Sequence, residues 1–333
     1  MQKVTLGRGG PEVSVLGLGC MGMSPGTYGV SDEDESIATL RAAVEAGIAL
    51  IDTGDFYGMG HNEMLIRRAL DGVPREKLVY SVKFGALRDP RNGWGGNDCR
   101  PEAVKNFLAY SLRRLGTDYI DIYRPARLDP AVPVEDTIGA IADMVQAGYV
   151  RHIGLSEVGA ATIKRASAVH PICDLQIEYS LMSRGVESAI LPVTRELGIA
   201  ITAYGVLSRG LLSGRLPAPG SKGDLRAIRM PRYAQGNLEK NLGLVEALAR
   251  IGKDRGATPA QLAIAWVRSR GPDILPVIGA RRRPQLLETL GTLDLSLGAD
   301  DLARIDAAVS PALTSGERYD PSQLAHLDSE ARH

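Results

Sequence analysis

The chain contains 333 residues, of which 44% are hydrophobic and 23% are charged, so it can bury a large core as two domains or as one domain of barrel size. Lysine plus arginine and aspartate plus glutamate balance at 39 each, which excludes a global electrostatic attraction to nucleic acid or to a membrane surface. The three cysteines cannot all pair, and residues 1–5 do not begin a charged leader followed by an apolar run, so we expect a reduced, cytoplasmic protein.

The predicted elements begin with a hairpin formed by residues 4–6 and 13–15, after which short apolar strands alternate with amphipathic helices. The strands show no clear polar alternation, which is typical of parallel strands buried on both faces. The strands are predicted at residues 16–20, 50–53, 78–83, 120–123, 152–155, 175–178, 200–203 and 274–278. The helices are predicted at residues 32–46, 62–70, 101–115, 134–146, 160–168, 187–197, 237–255 and 284–290.

Strict alternation of this kind fits either a doubly wound sheet or an eightfold barrel, and eight units without a second domain favour the barrel. We therefore predict an α/β protein with a single (β/α)8 TIM barrel domain over residues 1–333, an N-terminal β-hairpin and an extra C-terminal helix. In a TIM barrel the active site lies at the carboxyl ends of the strands. Those positions are occupied by Tyr57, Lys83, Arg124, Ala126, Ser156 and Tyr204.

Residues 17–22 match the G-x-G-x-x-G pattern of dinucleotide-binding sheets. In that fingerprint the glycines open a helix whose N-terminus binds pyrophosphate. Here residues 23–29 continue as a predicted loop, so we interpret the match as coincidental.

Asp52, Tyr57 and Lys83 lie at the ends of two consecutive predicted strands. A carboxylate and an ammonium at these positions could be an ordinary core ion pair beside a loop tyrosine. They could equally form an acid–base site, because a nearby ammonium favours the phenolate and lowers a tyrosine pKa from about 10. The spacing alone leaves both interpretations open.

Several further motifs follow one another along the chain. They are Asp52 to Tyr57, Lys83, Gly154-Leu155-Ser156-Glu157, Gln176-Ile177-Glu178-Tyr179-Ser180, Ala203-Tyr204-Gly205-Val206-Leu207 and Gly279-Ala280-Arg281. In these motifs and their order the chain resembles the aldo-keto reductase superfamily over nearly its whole length. The resemblance implies reduction of a carbonyl group by NADPH. Tyr57 would donate a proton to the carbonyl oxygen, Lys83 would lower the pKa of Tyr57, and Asp52 would hold Lys83 charged and in place.

The same resemblance implies a site for NADPH (NADP+). Ser156 and Gln176 would hydrogen-bond the nicotinamide amide and Tyr204 would stack on its ring, whereas the residues alone also allow loop capping and core packing. Arg281, the first of three arginines after the last strand, would bind the adenosine 2′-phosphate, so NADPH is predicted over NADH. The other implied cofactor contacts are Gly22, Met23, Asp52, Leu207, Arg209, Gly210, Gly279, Gln285 and Glu288.

Two segments outside the regular elements are expected to border this site. Residues 206–236 form a long basic loop with several glycines and prolines, and the loop resembles the family's segment that closes over the pyrophosphate. Residues 310–333, which include Tyr319, are expected to form a wall of the substrate pocket, with a frayed terminus as the alternative.

The family pattern has a histidine where this chain has Ala126. Deleting such a hydrogen-bond donor typically reduces the rate by about 10²- to 10³-fold, so we expect an atypical tetrad with low activity on generic aldehydes. Arg124 has the same strand parity as Ala126 and is a candidate surrogate donor, although Pro125 and repulsion from Lys83 argue against it. The alternative is that Arg124 neutralises a structural acid.

The leading interpretation is an NADPH-dependent oxidoreductase that reduces an aldehyde or an activated ketone. The alternatives are an enone reductase, which acts on a conjugated carbon–carbon double bond, and a non-catalytic NADPH-binding regulatory protein. Asp52, Tyr57 and Lys83 together favour chemistry, because a binding module requires none of them. The expected partner is a small carbonyl compound, without nucleic acid or membrane, and monomer and homo-oligomer stay open. No metal is expected, because the histidines lack ligand-like spacing.

Overall fold

The strands form one closed barrel and two short antiparallel hairpins. This computed structural model describes residues 1–91, 93–217 and 223–330, so parts of the predicted closing loop (218–222) and of the tail (331–333) lie outside it. The strands are β1 (Lys3–Thr5), β2 (Glu12–Ser14), β3 (Gly17–Gly19), β4 (Leu50–Gly54), β5 (Val79–Phe84), β6 (Ala86–Arg88), β7 (Trp94–Asn97), β8 (Ile120–Pro125), β9 (Val150–Ser156), β10 (Ile172–Glu178), β11 (Ala200–Tyr204) and β12 (Ile274–Gly279).

The barrel contains β3, β4, β5, β8, β9, β10, β11 and β12, which are parallel and follow one another around the wall in chain order. Each of these strands overlaps a predicted strand, so the predicted TIM barrel is confirmed. The strands β1 and β2 pair as the predicted N-terminal hairpin. The hairpin of β6 and β7 was not predicted from the sequence.

The helices lie outside the barrel and cover its wall. They are α1 (Glu33–Glu45), α2 (His61–Ala69), α3 (Pro101–Leu115), α4 (Val134–Gln146), α5 (Ala160–Val169), α6 (Ile190–Leu197), α7 (Leu225–Arg229), α8 (Asn237–Arg255), α9 (Pro259–Arg268), α10 (Arg283–Leu290), α11 (Ala299–Ala308) and α12 (Pro321–Leu324). All eight predicted helices are present. The helix α9 was not predicted, although Thr258 and Gln261 form a capping box at its start. Within the described part of the chain, no helix is long and apolar enough to cross a membrane.

The N-terminal hairpin closes the amino end of the barrel. Leu6 and Val13 from the hairpin pack against apolar side chains that point into the barrel from β4, β5, β8 and β12. Gly7 permits this close approach, because a Cβ atom at this position would lie 2.0 Å from the carbonyl oxygen of Cys173. The base of the barrel is therefore apolar and closed, which leaves the opposite end for a site.

A layer of buried charge lies above this apolar base. Arg124 of β8 is completely buried, and its Nη1 donates to Asp174 Oδ2 of β10 at 2.8 Å. Its Nη2 donates to Ser81 Oγ at 2.9 Å. Gly154 of β9 makes room for the pair, because a Cβ atom there would lie 2.9 Å from Arg124 Cζ. This layer separates the apolar base from the carboxyl ends of the strands.

The glycine-rich segment at residues 17–22 is part of the barrel wall. Gly17 and Gly19 lie in β3, and a short 3₁₀ turn, Met21–Met23, follows the strand. The long helix α1 begins ten residues beyond that turn, at Glu33. The glycines therefore do not open a helix, and the G-x-G-x-x-G match is coincidental as expected.

Candidate active site

A cleft of about 740 Å³ opens at the carboxyl ends of the barrel strands. It brings together residues that are scattered over the sequence, as the barrel architecture predicts. The predicted site residues that line the cleft are Gly22, Asp52, Tyr57, Lys83, Ala126, Ser156, Gln176, Tyr204, Leu207, Arg209, Gly210, Gly279, Arg281 and Gln285.

Two predicted cofactor residues do not line the cleft. The side chain of Met23 is fully buried and packs in the hydrophobic core. The carboxylate of Glu288 accepts a hydrogen bond from Arg215 Nη2 at 2.5 Å, and Arg215 itself lines the cleft. The structure therefore corrects the prediction for the side chain of Met23, which packs in the core, whereas the contact of Glu288 with the adenine stays a prediction.

Asp52 is the acceptor for three donors at the floor of the cleft. Lys83 Nζ donates to its Oδ1 at 2.7 Å, while Ser81 Oγ and Gln176 Nε2 donate to its Oδ2 at 3.0 and 2.6 Å. Burial lowers the pKa of Lys83, and the charge and hydrogen bond of Asp52 oppose this shift. The hydrogen bond to Asp52 thus fixes the position of the ammonium group.

Tyr57 lies in the turn that follows β4, where Gly58 and Met59 have positive φ angles of 57° and 56°. The ring centroid of Tyr57 is 5.2 Å from Lys83 Nζ. Burial and the charge of Asp52 raise the pKa of Tyr57 well above its ordinary value, and Arg127 provides the largest opposing charge. Burial therefore outweighs the lowering effect expected from Lys83, and Arg127 is the cation that opposes burial most strongly.

Arg127 was not predicted as a site residue, yet its guanidinium lines the cleft. Nη1 donates to the carbonyl oxygen of Ala126 at 2.6 Å and contacts Ser156 Oγ at 3.5 Å, while Nη2 contacts Tyr319 Oη at 3.5 Å. Among the described residues, no carboxylate oxygen lies within 4.0 Å of this guanidinium. The only signal in the sequence was its place directly after Ala126, at the end of a barrel strand.

The structure does not support Arg124 as a surrogate for the missing histidine. Arg124 points into the barrel, as its parity predicts, but it lies below the cleft and does not line it. Its guanidinium is held by Asp174 and Ser81 in the buried charged layer. The surrogate prediction is therefore wrong, and the contacts match the alternative that Arg124 neutralises a structural acid.

Ala126 lies at the end of β8 and lines the cleft with its methyl group. Its backbone N–H donates to the carbonyl oxygen of Phe84 at 2.8 Å, which continues the pairing of β8 with β5. A small side chain at this strand end leaves space beside Tyr57 and Arg127.

The C-terminal tail is attached to the barrel through Glu157. Arg318 donates to both Glu157 carboxylate oxygens at 3.0 and 2.6 Å, and Ser329 Oγ donates at 2.8 Å. Tyr204 Oη donates to the same carboxylate at 2.6 Å and lies 2.8 Å from Tyr319 Oη. Although burial acts in the opposite direction, Arg318 holds the pKa of Glu157 below its usual range. The tail thus forms a wall of the cleft, with Tyr319 facing inward.

Positive charge is concentrated at the other end of the cleft, at the start of α10. Arg281 lines the cleft and its Nη1 donates to the carbonyl oxygen of Tyr28 at 2.8 Å. Burial lowers the pKa of Arg281, and the charges of Arg226 and Arg282 act in the same direction. By contrast, Arg283 pairs with Glu35 of α1 at 2.9 Å and does not line the cleft.

Part of the loop that follows β11 spans the cleft beside this positive end. The backbone N–H of Leu225 donates to the carbonyl oxygen of Thr27 at 3.0 Å, and Asp224 forms a β-bridge with Tyr28. Arg226, one residue further, is held by Asp224 through both carboxylate oxygens at 3.0 and 2.7 Å. The described part of the loop therefore connects both sides of the cleft.

Comparison with known proteins finds relatives over nearly the whole chain. The chain is 39% identical over 323 residues to a probable aldo-keto reductase from Glycine max, covering 96% of this chain and 92% of that protein. Among solved structures, a glycerol dehydrogenase from Gluconobacter oxydans superposes with a TM-score of 0.82 at 28% identity, covering 92% of this chain and 94% of that one. An aldo-keto reductase from Bacillus halodurans, in its holo form, gives 0.77 at 27% identity, with 93% and 97% covered.

The profile of the aldo/keto reductase family matches residues 15–310, which span the barrel from β3 to the end of α11. A match of this extent, together with the relatives above, assigns the class of reaction to oxidoreduction of carbonyl compounds. The chain belongs to the aldo/keto reductase family.

Proposed function

We propose that this protein is an NADPH-dependent oxidoreductase that reduces the carbonyl group of an aldehyde or an activated ketone. The observation that carries the proposal is the meeting of Asp52, Lys83 and Tyr57 at the floor of one cleft, on the ends of β4 and β5. Nicotinamide cofactors are usual in the aldo/keto reductase family, and the remaining lining residues fit such a group.

Carbonyl reduction requires a hydride at carbon and a proton at oxygen. When bound, NADPH supplies the hydride. Tyr57 retains its phenolic proton at neutral pH, because burial raises its pKa, and it is therefore able to act as the acid. As the proton moves to the substrate oxygen, the charges of Lys83 and Arg127 stabilise the phenolate that is left behind. Solvent then returns a proton to Tyr57.

Several features of the cleft fit a dinucleotide phosphate. Arg209 Nη2 is buried and has no hydrogen-bond partner among the described residues, and its nearest carboxylate, Glu178, is 3.7 Å away. A buried cationic donor without a partner is unfavourable unless an anion is bound, which a pyrophosphate would supply. Arg281 and Arg282 provide the positive charge that a 2′-phosphate requires. Ser156 and Gln176 offer polar groups to the nicotinamide amide.

The test is to mix the purified protein with NADPH and a panel of aldehydes, diketones and enones, and to follow cofactor oxidation for the wild type and for Tyr57→Phe. We expect turnover that falls by at least about 10²-fold in the variant, because the proton donor is lost. The NADPH dissociation constant should be unchanged within a few-fold, since the phenol is not a cofactor anchor. Equal turnover by both proteins would contradict the proposal.

A second candidate function is a protein that binds NADPH without oxidising it. Ala126 favours this candidate, because it replaces the histidine of the family pattern. The same panel separates the two, because such a protein would bind NADPH tightly and oxidise it with none of the compounds. Reduction confined to the enones would instead identify a carbon–carbon double bond as the reacting group.

A further inference from the structure

We propose that Arg127 donates hydrogen bonds to the substrate carbonyl in place of the histidine that is absent at Ala126, and that its forked guanidinium selects 2-oxo acids and vicinal diketones. The inference rests on the proposed carbonyl reduction and adds the donor residue and the substrate class. It is carried by the position of Arg127, by its unused donors and by the absence of a carboxylate within 4.0 Å of it among the described residues.

The position of Arg127 follows from the strand end that also carries Ala126. Nη1 bonds to the Ala126 carbonyl oxygen at 2.6 Å and reaches toward Ser156 Oγ, so the guanidinium lies across the ends of β8 and β9. Tyr57 lines the same cleft, and the positive charge of Arg127 is the strongest effect that lowers the pKa of Tyr57. Ala126 lines this cleft too, and its small side chain takes up less of the cleft than a histidine would.

Arg127 has donors to spare for a ligand. A guanidinium carries five N–H donors, whereas Arg127 makes three contacts with described residues, two of them at 3.5 Å. At least two N–H groups are therefore free to point at a substrate. Guanidinium donors are arranged as a rigid fork, which matches two neighbouring acceptor oxygens better than it matches one.

Arg127 also differs from two nearby buried arginines, because those two are paired with a carboxylate. Arg318 is neutralised by Glu157 and Arg226 by Asp224, each at hydrogen-bond distance. Within the described ranges, Arg127 has no carboxylate within 4.0 Å. A cation in this condition favours an anionic group or an oxygen on which negative charge develops during reduction.

A second arginine without a close carboxylate lines the same cleft. Arg88 of β6 stacks over the rings of Phe56 and Trp94, with Cζ 5.6 and 5.4 Å from their centroids. Its Nε is buried and has no hydrogen-bond partner among the described residues. The cleft therefore combines aromatic surface with excess positive charge, which fits a planar group attached to a carboxylate or a diketone.

The experiment compares matched carbonyl compounds: phenylglyoxylate and 1-phenyl-1,2-propanedione, which carry a carboxylate or a second carbonyl next to the reacting carbonyl, and benzaldehyde, which carries neither. We expect the wild type to favour the first two in kcat/KM. Arg127→Met should lower kcat/KM for these dicarbonyl compounds by about 10²- to 10³-fold, as for loss of an oxyanion donor, with the NADPH dissociation constant changed less than threefold. Arg127→Lys keeps the charge without the fork, and should recover benzaldehyde reduction more completely than dicarbonyl reduction.

Arg165→Gln is the control, because Arg165 does not line the cleft and pairs with Glu135 at 2.6 Å on the surface. It should change kcat/KM less than threefold. An Arg127→Met loss that is equal for all three compounds and accompanied by weaker NADPH binding would show that Arg127 holds the cofactor instead. No change in any of these quantities would show that the guanidinium does not reach the substrate.

A pH profile separates a direct role from a structural one. In the reverse reaction, alcohol oxidation, the Tyr57 phenolate accepts the proton, and Arg127 lowers the pKa of that group. Arg127→Met should therefore move the alkaline rise in oxidation rate to higher pH, whereas a merely structural defect would lower the rate without moving the profile.

Binding of an unreactive analogue tests the role of Arg127 separately from the proposed reduction. Oxamate has an amide carbonyl oxygen next to a carboxylate, and its binding to the protein with NADP+ can be followed by tryptophan fluorescence. We expect at least tenfold weaker oxamate binding in Arg127→Met, even if the wild type should reduce none of the test compounds. Equal oxamate binding by wild type and Arg127→Met would overturn the inference, and inactivity of the wild type alone would overturn only the proposed function.

Discussion

Arg124 Nη1 lies 2.8 Å from Asp174 Oδ2, and both side chains are completely shielded from solvent. Removing one member of such a pair leaves the other charge buried without compensation. We expect Arg124→Met to lower the free energy of unfolding by about 3–5 kcal/mol in urea denaturation. The double variant Arg124→Met with Asp174→Leu should recover most of that loss.

A surface pair provides the control for this measurement. Arg304 is half-exposed and bonds to Asp254 at 2.6 Å, where water screens the interaction. Arg304→Met should therefore change stability little. If Arg124→Met were no more harmful than Arg304→Met, the charged layer would not contribute to stability as inferred.

Arg281 is expected to determine the preference for NADPH over NADH. A hydrogen bond to a charged group contributes about 1.5–3 kcal/mol, so Arg281→Gln should raise KM for NADPH by roughly 10- to 100-fold. KM for NADH should change little, because NADH lacks the 2′-phosphate. Arg283→Gln is the control, since Arg283 pairs with Glu35 outside the cleft. A similar increase for both cofactors would place Arg281 at another part of the dinucleotide.

Asp55 should make stability depend on pH. Burial, with a smaller effect from the charge of Glu63, raises the pKa of Asp55 to about 8. The unfolded chain has an aspartate pKa of about 3.9, so between these values the folded state binds more protons than the unfolded state. This stabilisation is fully present below about pH 4 and is lost as the pH rises through the folded pKa.

Asp55→Asn removes this titration while keeping a side-chain oxygen near the Gly85 N–H. Urea denaturation at pH 5, 7 and 9 should show that the wild type loses at least about 1 kcal/mol more than the variant between pH 5 and 9. Parallel pH curves for the two proteins would mean that Asp55 is ionised in the folded state at neutral pH.

The tail should loosen when Glu157 loses its charge. Glu157→Gln keeps the size of the side chain but removes the partner of Arg318, and Tyr204 loses a charged acceptor. We expect faster hydrogen exchange at residues 318–330 and a raised KM for substrate, with the NADPH dissociation constant changed less. Glu135→Gln, which breaks the exposed pair with Arg165, is the control and should leave both quantities unchanged. Unchanged exchange in Glu157→Gln would contradict this account of the tail.

The fold could be predicted because its determinants are local in sequence. Apolar runs such as residues 120–123 and 274–278 indicate strands buried on both faces, and their alternation with helices indicates a parallel barrel. The helix α9 was missed although Thr258, Pro259 and Gln261 carry recognised start signals. The helix α9 lies between α8 and β12, where the regular alternation of one strand with one helix leaves no place for a second helix.

The site was predictable as a set of strand ends but not in its electrostatics. The alternation of side chains along β8 correctly predicted that Arg124 points into the barrel. Its depth below the cleft depends on partners such as Asp174, which is 50 residues away in the sequence. The pKa of Tyr57 depends mainly on its burial, which cannot be read from the spacing of residues in the sequence. Arg127 directly follows Ala126, and nothing in the sequence around it shows that its guanidinium turns into the cleft.

The segment that walls the substrate side of the cleft, residues 318–330, is attached to the rest of the protein through Glu157, Tyr204 and Arg229 and, through Asp328, to the backbone N–H of Gly159. None of these contacts involves Asp52, Tyr57 or Lys83. Exchange of residues 318–330 between relatives would therefore alter which compounds enter while leaving the proton-transfer groups in place, so this segment is the natural starting point for redesigning substrate range.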